Sequence, residues 1–327
     1  MSLRVVAALF LLISLPACAQ AAPFSPTAVI PEITRVSPTP LPSSTPSTLP
    51  SKTALPTLTV TPPCEYDQWC TAPALFPLAY PILPPNNDRI AASYPFGSTR
   101  NGTVEVHHGV EFVNPSGTPV HAAADGRVVF AGKDDQQAFG PFTGYYGNLV
   151  ILEHHLPGSP DPLFTLYGHL SSVLVKNNQQ VKVGDLLGEV GLSGVADGAH
   201  LHFEVRAGEN DYAHSVNPQL FLPPQPDEFK NQPTGILVGR ISNSSGDPIR
   251  VRLSVTRLPG KGETEMVWYP ELYGEGVMSS ESYHENFLLG GLREGKYRLV
   301  FYYHSRYYDQ TVEVVPGNIT SVDIMTK

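Results

Sequence analysis

His200-Leu201-His202-Phe203-Glu204 is the stretch on which the fold and the chemistry turn. It lies in a strand-like run, where residues i and i+2 point to the same face, so His200 and His202 project together while Leu201 faces away. Two imidazoles on one face suit one metal ligand and one group acting on a metal-activated water. An isolated His-x-His pair is also met as two ordinary core or surface histidines. Upstream, His107-His108-Gly109-Val110-Glu111 changes the balance. Four residues of extended chain span roughly 13 Å, too far for both ends to reach one ion. The segment must therefore bend, and Gly109 permits a bend. With His107 and Glu111 converged on His202, two imidazoles and a carboxylate make three protein ligands. The fourth tetrahedral position is then left to water, which is the pattern of a catalytic rather than a structural Zn. Leu166-Tyr167-Gly168-His169-Leu170 adds His169 as a candidate to pair with His200 around the water and the developing oxyanion.

The residues around these pieces read as strands bounded by Gly, Asn or Asp. Examples are Gly126-Arg127-Val128-Val129-Phe130-Ala131, Asn148-Leu149-Val150-Ile151-Leu152-Glu153 and Leu186-Leu187-Gly188-Glu189-Val190. No amphipathic pattern of three helical turns stands out, so residues 89–222 are expected to form a mostly β domain. Residues 223–233, rich in Pro, Asp and Gln, read as a linker. Residues 234–327 carry further short strands, such as Lys296-Tyr297-Arg298-Leu299-Val300-Phe301-Tyr302, whose alternation and spacing suggest a small β-sandwich.

The first 21 residues read as a secretion signal. Arg4 precedes an apolar run over residues 5–15, too short to span a bilayer. Two cleavage readings stand side by side: a signal-peptidase site at Ala19-Gln20-Ala21, and a lipobox at Leu15-Pro16-Ala17-Cys18 that would lipidate Cys18. Residues 22–63 are mostly Pro, Ser and Thr, cannot bury enough surface to offset chain entropy, and read as an extended stalk. Of the three cysteines, Cys64 and Cys70 then remain as a pair in an oxidising compartment, so residues 64–88 are expected to hold a small disulfide loop. A formal net charge of -9 over 327 residues, without any Lys/Arg-rich run, argues against a nucleic-acid partner. These features place the chain outside the cytoplasm, in the cell envelope, either secreted or lipid-anchored.

The three histidine segments, taken in order, resemble the lysostaphin-type zinc metallopeptidases, also called the LytM-like or glycyl-glycine endopeptidase family. The resemblance extends over roughly residues 90–222. It includes Tyr94-Pro95-Phe96-Gly97-Ser98-Thr99-Arg100, Ala123-Ala124-Asp125-Gly126, Val181-Lys182-Val183-Gly184-Asp185 and His200-Leu201-His202-Phe203-Glu204-Val205-Arg206. It implies an all-β chain with a β-rich domain of the duplicated hybrid motif type and an open groove. It further implies a zinc-dependent endopeptidase cutting peptide bonds in peptidoglycan stems or cross-bridges, with peptidoglycan as partner. Zn is placed on His107, Glu111 and His202, and the catalytic non-ligand histidines are His169 and His200. The other seven histidines match no functional position, and Asn114 is assigned no role.

Three departures are visible. Glu111 stands where the family has Asp, one methylene further from the backbone. Val195-Ala196-Asp197-Gly198-Ala199 replaces a turn that usually ends in Gly-Pro. Residues 133–142 look like an insertion that walls the groove. They keep a second reading open: a catalytically weak or inactive member that binds peptidoglycan or regulates another cell-wall hydrolase. Separately, Gly239-Arg240-Ile241 and Gly291-Leu292-Arg293-Glu294-Gly295-Lys296-Tyr297 resemble the carboxypeptidase-regulatory-like or transthyretin-like β-sandwiches. Tyr302, Tyr303, Tyr307 and Tyr308 read either as a platform for glycan or, preferably, as a strand pair with half its tyrosines buried. Removal of residues 234–327 is expected to leave Zn binding intact.

Overall fold

Leu163–Leu170 buries all eight of its residues and Asn148–His154 buries five of seven. Strands this apolar on both faces must lie inside a sheet covered on each side. A computed structural model, which describes residues 68–327, places them there. The leader with Cys18, the Pro/Ser/Thr-rich stretch and Cys64 lie outside the described residues; Cys70 is disulfide-bonded. Regular structure within the described residues is strand throughout, save two single-turn 3-10 helices at Tyr212–His214 and Pro218–Leu220. No described helix is long and apolar enough to cross a membrane. The chain is all-β.

The main sheet runs in the order Ser215–Val216, His200–Ala207, Leu163–Leu170, Asn148–His154, Gly126–Lys133, Gln180–Val181, and Val110–Val113 pairs with the beginning of His200–Ala207. The period of two along His200–Ala207 sorts its side chains. Leu201, Phe203 and Val205 enter one core with Val110, Phe112, Val150 and Tyr167. Residues 200, 202, 204 and 206 therefore take the other face. A small sheet of Pro119–His121, Leu186–Glu189 and Ser172–Val173 contributes Val120, Leu187 and Val173 to the first core. A second core of Tyr146, Leu149, Ile151, Phe164 and Leu166 takes in Phe139 from the stretch read as an insertion. Phe139 packs on Phe130 with ring centroids 4.4 Å apart, and Asp134 Oδ2 accepts from the Tyr146 amide at 2.9 Å.

Residues 234–327, joined by Trp69–Pro73, form two four-stranded sheets. One is ordered Trp69–Pro73, Asn318–Met325, Thr234–Ser242, Phe287–Arg293; the other Met266–Trp268, Ser254–Arg257, Gly295–Tyr303, Arg306–Val314. They share a core of Leu237, Ile241, Val255, Phe287, Tyr297, Leu299, Val312 and Val322. Tyr302 and Tyr307 stay on the outer face, while Tyr303 and Tyr308 pack against the core.

Two contributions to this arrangement were not legible in the sequence. Trp69–Pro73, read as part of a separate loop segment, pairs antiparallel with Asn318–Met325 and becomes an edge strand of the C-terminal sheet. The outer face of that sheet is also covered: Ile236, Val238, Leu288 and Ile319 cluster with Leu220, Phe221 and Phe76. Residues 223–233 are a hydrogen-bonded turn, with Asp227 accepting from the amides of Phe229 and Lys230 and Gln225 donating to Asp88 O. These residues thus hydrogen-bond to both modules, beside the apolar junction.

Ile236 is 1% exposed at that junction. Ile236→Ala should cost about 2–5 kcal/mol. Both tryptophans, Trp69 and Trp268, lie in the C-terminal sheets. Urea transitions followed by tryptophan fluorescence and by far-UV circular dichroism should coincide in the wild type and shift together in the variant. Two separated transitions would show that the modules unfold independently.

Candidate metal centre

The register of one strand pair sets the centre. Val110–Val113 runs antiparallel to His200–Ala207 with Glu111 directly opposite His202. Directly opposed residues share a face, so the carboxylate and the imidazole meet: Glu111 Oε1 is 3.1 Å from His202 Nδ1. His107 enters from the irregular segment before the strand. Its Nε2 lies 2.8 Å from Glu111 Oε1 and 3.3 Å from His202 Nδ1. One ligand atom from each of the three residues lies within 4.8 Å of the others. Gly109 makes this approach possible for a reason other than the expected one. It is not among the left-handed glycines. A Cβ there would lie 2.6 Å from Phe203 O and 2.8 Å from His202 Nε2, so the backbone could not pass beneath the imidazole.

His169 and His200 complete the group. His169 adopts φ 62, a left-handed conformation that a non-glycine residue keeps only when its surroundings demand it. Its ring lies 4.8 Å from that of His200 and 5.7 Å from that of His202, centroid to centroid. His169 Nδ1 is 2.8 Å from Ser193 O, and His200 Nδ1 is 2.7 Å from Gly198 O. Carbonyl oxygens only accept, so Nδ1 carries the hydrogen in both rings and Nε2 is left for other work. His200 Nε2 lies 2.8 Å from Glu111 Oε2. That carboxylate oxygen is buried and has no aligned hydrogen-bond donor.

A buried network behind His202 was missed from sequence. His202 Nε2 donates to Glu204 Oε1 at 3.0 Å, which points Nδ1 toward His107 and Glu111. Glu204 Oε2 accepts from Arg206 Nε at 2.8 Å, and Tyr146 Oη donates to Glu204 Oε1. Arg206 Nη2 donates to Phe139 O at 2.8 Å. Glu204 and Arg206 are both 0% exposed. The signal was present: His200, His202, Glu204 and Arg206 share one parity. Tyr94, also outside the candidate list, stacks on His107 with centroids 4.0 Å apart and planes 7° apart.

The electrostatics follow from burial and this crowding. Burial opposes ionisation of Glu111, but His202, His107 and His200 outweigh it and hold its carboxyl well below the usual range. Burial alone would depress His202; Glu111 and Glu204 outweigh it and raise its pKa to about 9. Burial, assisted by His202 and His200, pushes His169 down to about 4. His200 is raised, because Glu111 outweighs the effect of burial. A largely enclosed carboxylate, 13% exposed and facing three imidazoles, is a donor set that fits a divalent N/O-ligated cation such as Zn.

The remaining histidines stand apart from this arrangement. His108 Nδ1 contacts Ser215 Oγ at 2.6 Å and Tyr212 O at 3.0 Å, and its ring stacks on Tyr212. His154 bridges Asp125 O and Thr165 Oγ1. Asn114 ties down the preceding loop through the Asn87 amide and carbonyl.

Residues 105–218 match the model of Peptidase family M23. The cell division protein DipM of Caulobacter vibrioides is 40% identical over 124 residues, covering 37% of this chain and 18% of DipM. The peptidoglycan DD-endopeptidase ShyB of Vibrio cholerae is 36% identical over 104 residues, covering 32% of this chain and 21% of ShyB. The murein hydrolase activator NlpD of Escherichia coli is 34% identical over 128 residues, covering 39% of this chain and 28% of NlpD. The chain thus spans less than a third of the length of each of these relatives. Through residues 105–218 it carries a domain of Peptidase family M23, the lysostaphin-type group to which its histidine segments pointed.

Proposed function

We propose that the chain is a zinc-dependent endopeptidase that hydrolyses peptide bonds in the stems or cross-bridges of peptidoglycan. The observation that carries this reading is the convergence of His107 Nε2, Glu111 Oε1 and His202 Nδ1 beside the imidazoles of His169 and His200, each held through Nδ1 by a carbonyl oxygen. His107, Glu111 and His202 would hold the Zn. When bound, it would supply Lewis acidity and bring the pKa of water in the site toward about 7.

The chain's own groups divide the proton work. His169, neutral down to about pH 4, has an unprotonated Nε2 and accepts a proton from the attacking water. His200, whose pKa is raised by Glu111, carries a proton on Nε2 and donates toward the developing oxyanion or the leaving amine. Neighbouring groups with pKa values pushed in opposite directions are the usual basis of an acid–base pair. The ShyB likeness supports a peptidoglycan peptide as substrate, and the leader sequence supports action in the cell envelope, either anchored through Cys18 or released.

One observation favours the second reading, a weak or inactive peptidoglycan-binding or regulatory module. The extra methylene of Glu111 brings Oε2 to 2.8 Å from His200 Nε2, so the ligand engages the catalytic imidazole. The NlpD likeness points the same way. A wild type without turnover that gains activity on Glu111→Asp would establish this alternative.

Two measurements test the main reading. With Zn bound, His169→Ala and His200→Ala should each lower kcat on muropeptides by about 10²–10⁴ and leave Zn content near one per chain. No turnover by the wild type at saturating Zn would reject an enzyme. Zn binding should also release a proton. Below its pKa of about 9, His202 is protonated in the metal-free chain, and a metal ligand must give up that proton. Between pH 6 and 8 the Zn affinity should therefore rise about tenfold per pH unit, with about one proton released per Zn by calorimetry in buffers of different ionisation enthalpy. A pH-independent affinity would exclude His202 as the titrating ligand.

A further inference from the structure

Residues 97–107 carry the chain into the first proposed ligand without regular structure of their own. His107 is held there by two backbone hydrogen bonds: its N–H donates to Ser98 O at 2.9 Å, and its carbonyl accepts from Gly97 N at 2.8 Å. The placement of His107 is thus only as firm as the turn at residues 97–102. That turn is costly. Arg100 and Asn101 both have positive φ, 47 and 58, and such residues persist only where something outside the turn over-determines them.

The stabilising group comes from the C-terminal module. Glu271 accepts four hydrogen bonds from this turn: Ser98 Oγ to Oε2 at 2.7 Å, and Thr99 Oγ1, Thr99 N and Asn101 N to Oε1 at 2.6, 3.2 and 3.2 Å. Amides converging on one carboxylate form an anion-holding concavity. Arg250 Nη2, also from the C-terminal module, reaches Glu271 Oε1 at 3.1 Å and Thr99 Oγ1 at 3.3 Å. Burial opposes ionisation of Glu271, but the Thr99, Ser98 and Asn101 donors outweigh it and lower its pKa.

The same loop closes over the rest of the segment. Gly274 N donates to Gly97 O at 2.7 Å. Gly97 has φ +76, and a Cβ on it would lie 2.4 Å from the Tyr273 ring, so Tyr273 occupies the space a side chain would fill. Tyr273 also packs edge-on against Phe96 and accepts from Asn217 Nδ2 at 2.8 Å. Asn217 directly follows Ser215–Val216, which pairs with the strand of His200 and His202. Residues 271–274 therefore touch the segment before His107 directly and reach the strand of His200 and His202 through Asn217 and its adjoining strand. A second path runs from the turn to the ligand: Arg100 lies 4.4 Å above the Tyr94 ring, and Tyr94 stacks on His107.

We infer that Glu271 is a positioning residue for the metal centre: by holding the turn at residues 98–101 from the C-terminal module, it sets the place of His107. This rests on the reading of His107, Glu111 and His202 as metal ligands, and it makes the C-terminal module a working part of the site.

The test uses the full chain with three readouts: Zn affinity by competition with a chelator, amide exchange in the metal-free protein, and thermal stability. Glu271→Ala should raise the Zn dissociation constant about tenfold, the low end of the range for partners that orient ligands from behind. It should quicken exchange of the His107 and Gly97 amides while Val150 and Ile151 keep wild-type protection. Glu271→Gln retains an oxygen for the Thr99 and Asn101 donors and should bind Zn nearly as the wild type does, a rescue that general destabilisation would not produce. If Glu271→Ala does not fold, Thr99→Val takes its place, with a smaller change in the same direction. Unchanged exchange at His107, or quickened exchange with wild-type Zn affinity, overturns the inference. A wild type that binds no Zn overturns it together with the proposed function, and is told apart because the unmodified chain itself then fails the chelator assay.

Discussion

Glu111 lies directly opposite His202 in an antiparallel strand pair, and the rest of the centre depends on that register. Side chains alternate along a strand, so a slip of one residue would send Glu111 into the apolar core and leave His202 facing Val110 or Phe112. The register is pinned by the opposite face, where Val110, Phe112, Leu201 and Phe203 are all 0% exposed. The hydrophobic side of the sheet therefore fixes the geometry of its polar side. The carboxylate that results is enclosed by three imidazoles, which sustain its ionisation against the effect of burial.

Behind that pair stands an ionic network shut off from bulk solvent. Glu204 and Arg206 are fully buried, and removing two charges from water costs several kcal/mol each before their attraction returns any of it. Such a pair is weak evidence of stability and better evidence of orientation. Glu204 takes the Nε2 hydrogen of His202, Arg206 and Tyr146 hold Glu204, and Phe139 O holds Arg206. The stretch at residues 133–142 thus reaches the centre from behind, by fixing Arg206, as well as lying beside it. His169, on the neighbouring strand, pays for its place with a left-handed backbone, and the Ser193 carbonyl sets its tautomer.

The two modules meet through an apolar cluster on one side and through the Glu271 loop on the other. The apolar contact buries Ile236, Val238, Leu288 and Ile319 with little directionality, whereas the carboxylate with its converging donors supplies direction. Trp69–Pro73, from before the M23 domain, completes the C-terminal sheet, so the chain passes between modules twice and each braces the other. The geometry of the centre is in that sense shared between two cores.

Much of this was readable from the residues alone. Period two along His200-Leu201-His202-Phe203-Glu204-Val205-Arg206 determines which side chains share a face, because the pleat of a strand leaves no other choice. The donor types in three separated segments pointed to one metal chemistry, and the turn-bounded apolar runs to an all-β chain. The same periodicity held the Glu204–Arg206 pair in plain view, yet parity cannot say that a charged residue will be buried; that depends on which loop covers it. Gly109 was legible as special, but its reason, a backbone passing beneath an imidazole, exists only once two distant strands are paired. Nor could local pattern pair Trp69–Pro73 with a strand more than 240 residues away, or bring Glu271 to the turn at Ser98 and Thr99. Strand periodicity and side-chain chemistry are local properties and survive in the sequence. Burial, close approach and contacts between modules are decided by long-range packing, and only the tertiary structure contains them.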